Sequence, residues 1–372
     1  MNKHTIPIGR IFGIPIGLDA SWFLIFALVT WTLAVGYYPD EYGNWPKALY
    51  WIVAAATAIL FFGSVLLHEL GHSVVALSYK IPVRSITLFI FGGVAEIGAE
   101  PPSAKAEFWI AIAGPLVNFG LAIVSGLLQT PFATVAPMLA LVKYLALANG
   151  ALALFNLIPG FPLDGGRVLR AIVWKITNSL RQATLIAANV GRFIGFLFIL
   201  FGVWQMFRGD FINGLWIAFI GWFLESAASS QVQRQTVRDR LGGHKVSEVM
   251  RQGYVSVPAD ASLQHLVDEH ILSRGRRSFV VERDHDVMGL LTLHQIKEVP
   301  RGEWAATTAG QAMLPMRDVK RVRPDSELWD ALKEMDRDGV NQLPVMIDGH
   351  CMGMLSREDL IGFLRTRREL GL

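Results

Sequence analysis

The chain alternates long apolar runs with short polar breaks as far as about Gln231, and beyond that point no long apolar run remains. A helix that crosses a bilayer needs about 20 mostly apolar residues. The runs at about 20–39, 48–77, 108–128, 137–158, 183–207 and 211–229 each approach or exceed that length and predict six transmembrane helices. Residues 108–142 carry 35 positions without a charge, too many for one crossing, and Pro131 and Pro137 divide them. The sixth run is the weakest, because Glu225 lies near its end. Two stretches between the runs have β character. Residues 5–18 are punctuated by Gly and Pro; residues 83–97 are β-branched and aromatic, with Gly92-Gly93 as the expected hairpin turn.

Six crossings return both ends of the membrane region to one side. With the N-terminus inside, the inner loops and tails hold Lys3, Arg10, Lys80, Arg84, Lys105, Arg167, Arg170, Lys175, Arg181, Arg234, Arg238 and Arg240, whereas the outer loops hold Lys47 and Arg208. The excess of inner positive charge places the termini and the soluble half in the cytoplasm of a cell-membrane protein. No signal-peptide apolar core or small-residue cleavage site is visible at the N-terminus.

Composition agrees with a half-membrane chain: 52% of residues are hydrophobic and only 17% charged. The net charge of +3 is small and its basic residues follow the loops, which argues against a nucleic-acid partner. Cys351 is the single cysteine, so an intramolecular disulfide and any multi-cysteine zinc site are excluded.

The chemistry concentrates at the end of the second run, in His68-Glu69-Leu70-Gly71-His72. On a helix His68 and His72 lie one turn apart on one face, so two imidazoles reach one metal ion, and Glu69 beside them is placed to hold a water. Ionisable groups inside a span are costly and read as functional. A catalytic zinc needs a third protein ligand, and the fourth run delivers one to the same depth. It ends at Asn156-Leu157-Ile158-Pro159-Gly160-Phe161-Pro162-Leu163-Asp164-Gly165-Gly166-Arg167, where two prolines open the helix ahead of Asp164. Asp164 is the leading third ligand; the competing reading makes it the N-cap of the next helix. Arg192, inside the fifth run, either pairs with a carboxylate of the site or is a snorkelling or structurally paired residue. His4, the nearest rival histidine, lies in the N-terminal tail.

The soluble half repeats itself. Val246-Ser247-Glu248-Val249-Met250 matches Ala309-Gly310-Gln311-Ala312-Met313, and Met288-Gly289-Leu290-Leu291-Thr292 matches Met352-Gly353-Met354-Leu355-Ser356, 64 residues on. A repeat of this length marks two copies of a small β-α-β module.

The pair formed by His68-Glu69-Leu70-Gly71-His72 and Asn156 through Arg167, joined by Gly114-Pro115-Leu116-Val117-Asn118, resembles the site-2 protease family of intramembrane zinc metalloproteases, peptidase family M50. The resemblance covers nearly all of the first 230 residues. It implies one Zn2+ per chain on His68, His72 and Asp164, Glu69 as general base, and Asn118 as a stabiliser of substrate or developing oxyanion. It also implies single-span membrane substrates such as anti-sigma factors. The two soluble copies resemble CBS domains, which pair, sometimes into homodimers, and often bind AMP or ATP. The family's ribose-holding segment is whole in Gly353-Met354-Leu355-Ser356-Arg357-Glu358-Asp359, while the first copy has Thr292 but Gln295 in place of the acid. A purely structural or dimerising pair is the alternative for this half.

The expected fold is therefore an α-helical polytopic membrane protein of six transmembrane helices with a C-terminal α/β CBS pair. The boundaries are a membrane-embedded metalloprotease domain over 1–230, a linker over 231–243, and CBS modules over 244–300 and 309–370. The expected function is cleavage of transmembrane segments within the lipid bilayer, adjusted by the CBS pair. A CBS-regulated transporter or channel is the alternative, and it requires acidic or polar residues spread along several spans; a proteolytically inactive scaffold is hard to reconcile with an intact Glu69.

Overall fold

The computed structural model describes residues 5–284 and 286–371, so His4 and Lys3 fall outside the described residues. The chain divides between Gln235 and Thr236 into two compact units.

In the first unit, six described helices are long and apolar enough to cross a membrane. They are α1 (Ala20–Glu41), α2 (Lys47–Ser78), α3 (Ala104–Leu127), α4 (Ala136–Asn156), α6 (Leu180–Phe207) and α7 (Phe211–Leu241), with the shorter amphipathic α5 (Asp164–Thr177) between α4 and α6. The helices present large apolar side chains outward, among them Leu24, Ile52, Ile123 and Leu147, as a lipid-facing surface requires. At about 1.5 Å per residue, the 32 residues of α2 exceed the roughly 30 Å of hydrocarbon, so the helix has length to spare for the motif at its end.

Tight helix contacts rest on small residues, because association in lipid depends on packing rather than on expulsion of water. A Cβ on Gly71 of α2 would lie 2.9 Å from Val117 Cγ2 and 3.1 Å from the Ala113 carbonyl of α3. Between α6 and α7 the same device recurs at heptad spacing. A Cβ on Gly195 would stand 2.8 Å from the Gly221 carbonyl, and one on Gly202 would stand 2.5 Å from that of Gly214. Arg192 and Glu225 pair across this contact, with Nε to Oε1 at 3.3 Å. Glu225 lies outside the cluster of His68, His72 and Asp164, so Arg192 makes a structural pair and not one with a carboxylate of the site.

The two β-type stretches join in one sheet of order β1-β2-β3-β4, from β1 (Thr5–Ile11), β2 (Ile14–Asp19), β3 (Val83–Phe89) and β4 (Gly92–Ile97). β1/β2 and β3/β4 are antiparallel hairpins; β2 and β3 run parallel, with α1 and α2 forming the crossover. Ile14 and Ile86 pack against Leu70 of α2, which holds the sheet to the helix that carries the histidines. One expectation shifts: Ile90 and Phe91 make the turn, while Gly92 and Gly93 begin β4, paired with Phe89 and Leu88. β4 is the outermost strand of the sheet on its side.

The segment expected as a linker over 231–243 is instead largely helical, since α7 continues to Leu241. Nothing in its Gln, Arg and Val residues breaks a helix until Gly242-Gly243, and Gly243 takes a φ of +77°.

The second unit holds two modules. The first is built on β5 (Ser256–Pro258), β6 (Ser278–Arg283), β7 (Asp286–Thr292) and β8 (Leu314–Pro315); the second on β9 (Gln342–Ile347) and β10 (His350–Ser356). β9 and β10 are joined by Asp348-Gly349, both at positive φ (47° and 88°), the geometry of a tight hairpin turn. The matched repeat segments are exchanged. Val246, Val249 and Met250 pack in the core of the second module with Leu343, Val345 and Leu355, whereas Ala309, Ala312 and Met313 pack in the first with Phe279, Val281 and Leu291. Val246, Val249 and Met250 thus open the first repeat in sequence but fill the core of the second module. Cys351 is a free, half-buried thiol in the apolar cluster of Val280, Leu290, Val319 and Met354, and burial pushes its pKa up, as suits packing rather than reactivity.

Candidate metal centre

The local fold of α2 puts His68 and His72 on one face, and both are buried. Their Nε2 atoms are 3.1 Å apart. α4 ends at Asn156, the Pro-rich segment turns the chain, and Asp164 becomes the first residue of α5. Leu163 occupies the N-cap position, and the Asp164 carboxylate is directed elsewhere. Its Oδ2 lies 3.1 Å from His68 Nε2 and 3.2 Å from His72 Nε2. Asp164 is brought to the histidines, and the N-cap alternative does not describe it.

These three atoms, the one such cluster among the described residues, form a nearly equilateral triangle. Zinc ligands about 2.0–2.1 Å from a tetrahedral ion stand about 3.3–3.4 Å from one another, so the observed edges are those of one face of such a site. Two imidazoles and a carboxylate, with a fourth position open, are also the donor set of a catalytic zinc. The space in front of the nitrogens is kept clear by Gly114 of α3, where a Cβ would stand 2.3 Å from His72 Nε2 and 2.6 Å from His68 Nε2. The residues present fit the ion.

His72 Nδ1 lies 2.6 Å from the Ile110 carbonyl, to which it donates, leaving Nε2 free as a ligand. Glu69 stands outside the ligand triangle. The backbone of β4 covers it closely: a Cβ on Gly93 would come within 2.5 Å of Glu69 Cγ. Asn118 is fully buried, one turn beyond Gly114, and both atoms of its amide lack a partner within the protein. An amide left unpaired in a buried site is costly to the fold and is available to a ligand. Glu107, Ile110, Gly114 and Asn118 thus recur along one face of α3. Of these, sequence reasoning found Gly114 and Asn118. Ile110 acts through its carbonyl and Gly93 through the lack of a side chain, neither of which leaves a signal in residue type. Glu107 had one, a carboxylate at the mouth of an apolar run.

In the second unit a cleft of about 460 Å3 between the modules is lined by Thr292 and Ser356, with Arg277, Lys320 and Arg357 around it. Asp359 lines a smaller adjoining pocket with Arg251 and Ser356. Its Oδ2 accepts from the Ser356 backbone N–H at 3.0 Å, and its Oδ1 pairs with Arg251. Gln295 caps the corresponding helix of the first module, accepting from Thr292 N at 3.1 Å, so the departure from an acid keeps the cap and loses only the charge.

A histidine pair and an aspartate converging at the end of apolar spans, followed by paired α/β modules, define a polytopic membrane metalloprotease with a CBS pair. The chain belongs to peptidase family M50, the zinc metalloproteases of site-2 protease type. That family's pattern matches residues 56–134 and 124–202, and the CBS domain pattern matches 246–302 and 310–366. A Synechocystis protein provisionally named a zinc metalloprotease is 34% identical over 369 residues, 98% of this chain and 96% of its own length. A zinc metalloprotease of Methanocaldococcus jannaschii is 29% identical over 99% of both chains. The solved site-2 protease from the same organism aligns with 61% of this chain and 95% of its own, at 33% identity and a TM-score of 0.43.

Proposed function

We propose that this protein hydrolyses peptide bonds in the transmembrane segments of membrane-anchored substrates, from a zinc site on the cytoplasmic side of the cell membrane. The observation that carries the reading is the triangle of His68 Nε2, His72 Nε2 and Asp164 Oδ2, with edges of 3.1–3.2 Å, beside Glu69. Zinc bound there supplies a Lewis acid for the scissile carbonyl and lowers the pKa of water to about 7. Glu69 then takes the proton of the attacking water and returns it to the leaving amine. The unpaired amide of Asn118 is available to the substrate or to the developing oxyanion. Incubating wild type and Glu69→Gln with a panel of single-span candidate substrates tests the reading. The transporter alternative finds little support. Glu107 is the carboxylate buried in full among the described residues, and it is paired with two arginines instead of lining a path.

A helical substrate shields its own peptide bonds. The outer edge of β4, next to the strand residue that covers Glu69, suits pairing with an unwound substrate segment as an added strand. Deletion of residues 89–94 is expected to abolish cleavage while zinc content, measured by atomic absorption, stays at one per chain. Cleavage by the deletion variant would sink the strand-addition reading and leave an interfacial hairpin.

The cytoplasmic CBS pair is proposed to bind one adenine nucleotide and to adjust activity, with Asp359 holding the ribose. Asp359→Asn keeps an acceptor for the helix cap and removes the charge. A charge-assisted hydrogen bond is worth about 1.5–3 kcal/mol, so AMP or ATP binding to the purified protein should weaken about 10–100-fold in equilibrium dialysis. Wild-type chain that takes up neither nucleotide would leave the pair a structural one.

A further inference from the structure

Asp164 sits at the very start of α5, just after an irregular Pro-rich segment, which is a poor place to hold a ligand within tenths of an ångström. Close to it an ion triad joins α5 to α3. Arg167 and Arg170 follow Asp164 by about one and two turns, and both reach Glu107 of α3. Arg167 Nε stands 3.2 Å from Glu107 Oε1, and Arg170 Nη2 pairs with the same oxygen. The Glu107 side chain is wholly shut off from solvent. The Arg170 guanidinium also lies over the Phe161 ring, 5.3 Å from its centroid, so it grips the Pro-rich segment before Asp164 as well as the helix after it. Glu107 shares its face of α3 with the Ile110 carbonyl that orients His72 and with Gly114, which keeps the metal position clear.

We propose that Glu107 is a positioning residue for the metal centre: through Arg167 and Arg170 it clamps α5 to the face of α3 that seats the histidines, and so sets Asp164 at ligand distance from them. This rests on the reading of His68, His72 and Asp164 as the metal site. One rigid face of α3 then registers two ligands that arrive from different helices, His72 from α2 and Asp164 from α5. Residues beyond the ligands that orient them commonly control metal affinity.

The test is zinc affinity of the purified full-length protein, by competition with a chromophoric chelator, alongside thermal unfolding and steady-state kinetics. Glu107→Gln is expected to weaken zinc binding about 10–100-fold. It should also lower kcat at saturating zinc, while KM stays within about twofold of wild type. Arg167→Gln should behave alike, and the double variant should be no worse than either single change, because one unit is being broken. Glu225→Gln, which breaks the Arg192 pair between α6 and α7, should leave zinc affinity unchanged. Folded Glu107→Gln protein with wild-type zinc affinity and a lowered melting temperature would make the triad merely structural and overturn the proposal. If Glu107→Gln does not fold, Arg170→Gln removes one of the two links, and wild-type zinc affinity in that variant overturns it equally. Asp164→Ala separates the two levels: zinc retained there defeats the metal-site reading itself, whereas zinc lost there but kept in Glu107→Gln defeats this inference alone.

Discussion

Glu69→Gln should silence cleavage of every substrate and leave one zinc per chain in place. The substitution is nearly isosteric, which matters because Gly93 of β4 leaves Glu69 Cγ little room. It removes the one property the proposed mechanism needs, a carboxylate able to accept a proton and give it back. General acid–base catalysis contributes about 10²–10⁴-fold, so residual cleavage should fall by at least that much. Zinc should stay, because the ligand triangle is made by His68, His72 and Asp164 without Glu69. The measurement is cleavage of single-span substrates in proteoliposomes, with metal content determined on the same preparation. Cleavage within about tenfold of wild type would refute the assigned base, since the loss expected of that role is larger. Loss of zinc would instead mean that Glu69 is a ligand.

The reach of sequence reasoning followed the range of the interactions concerned. The spans were legible because lipid imposes a length and a polarity on each, and the histidine pair because a helix places residues four apart on one face. Asp164 lies 92 positions from His72 and was found only through topology, by asking which crossing ends at the same depth. Contacts made by the backbone were beyond reach. The Ile110 carbonyl on His72 and the approach of β4 to Glu69 involve residues whose type announces nothing. Gly92-Gly93 misled in an instructive way: glycines signal turns, but Gly93 is required in the strand by a close approach.

Charge reading had a similar blind spot. Arg167 and Arg170 entered the count of inner positive charges, a use of them that hid their pairing with Glu107. In the soluble half, the repeat revealed that Val246–Met250 and Ala309–Met313 are equivalent segments, yet equivalence does not say which core a segment fills. Each packs in the other module's core, because the segment lies at the N-terminal border of its repeat and either core offers the same apolar seat.

Asp164→Ala should cost zinc and activity together. Asp164 does not cap α5, so the change costs that helix only the interaction of one negative charge with its N-terminus, about 0.3–1 kcal/mol. The metal is affected far more. One of three protein ligands disappears, and zinc affinity should drop by more than the 10–100-fold that loss of an outer partner costs. Zinc retained at one per chain with activity intact would remove Asp164 from the site. Gly114→Ala asks the same question without touching a ligand. Alanine is the better helix former by about 1 kcal/mol, so α3 itself is not weakened. Its Cβ would nevertheless stand 2.3 Å and 2.6 Å from the two Nε2 atoms, so the imidazoles must shift from the positions in which they meet Asp164. The expected result is a folded protein, judged by its melting temperature, that neither holds zinc nor cleaves substrate. Full zinc content in Gly114→Ala would show that zinc binding does not depend on the imidazole positions that form the triangle with Asp164.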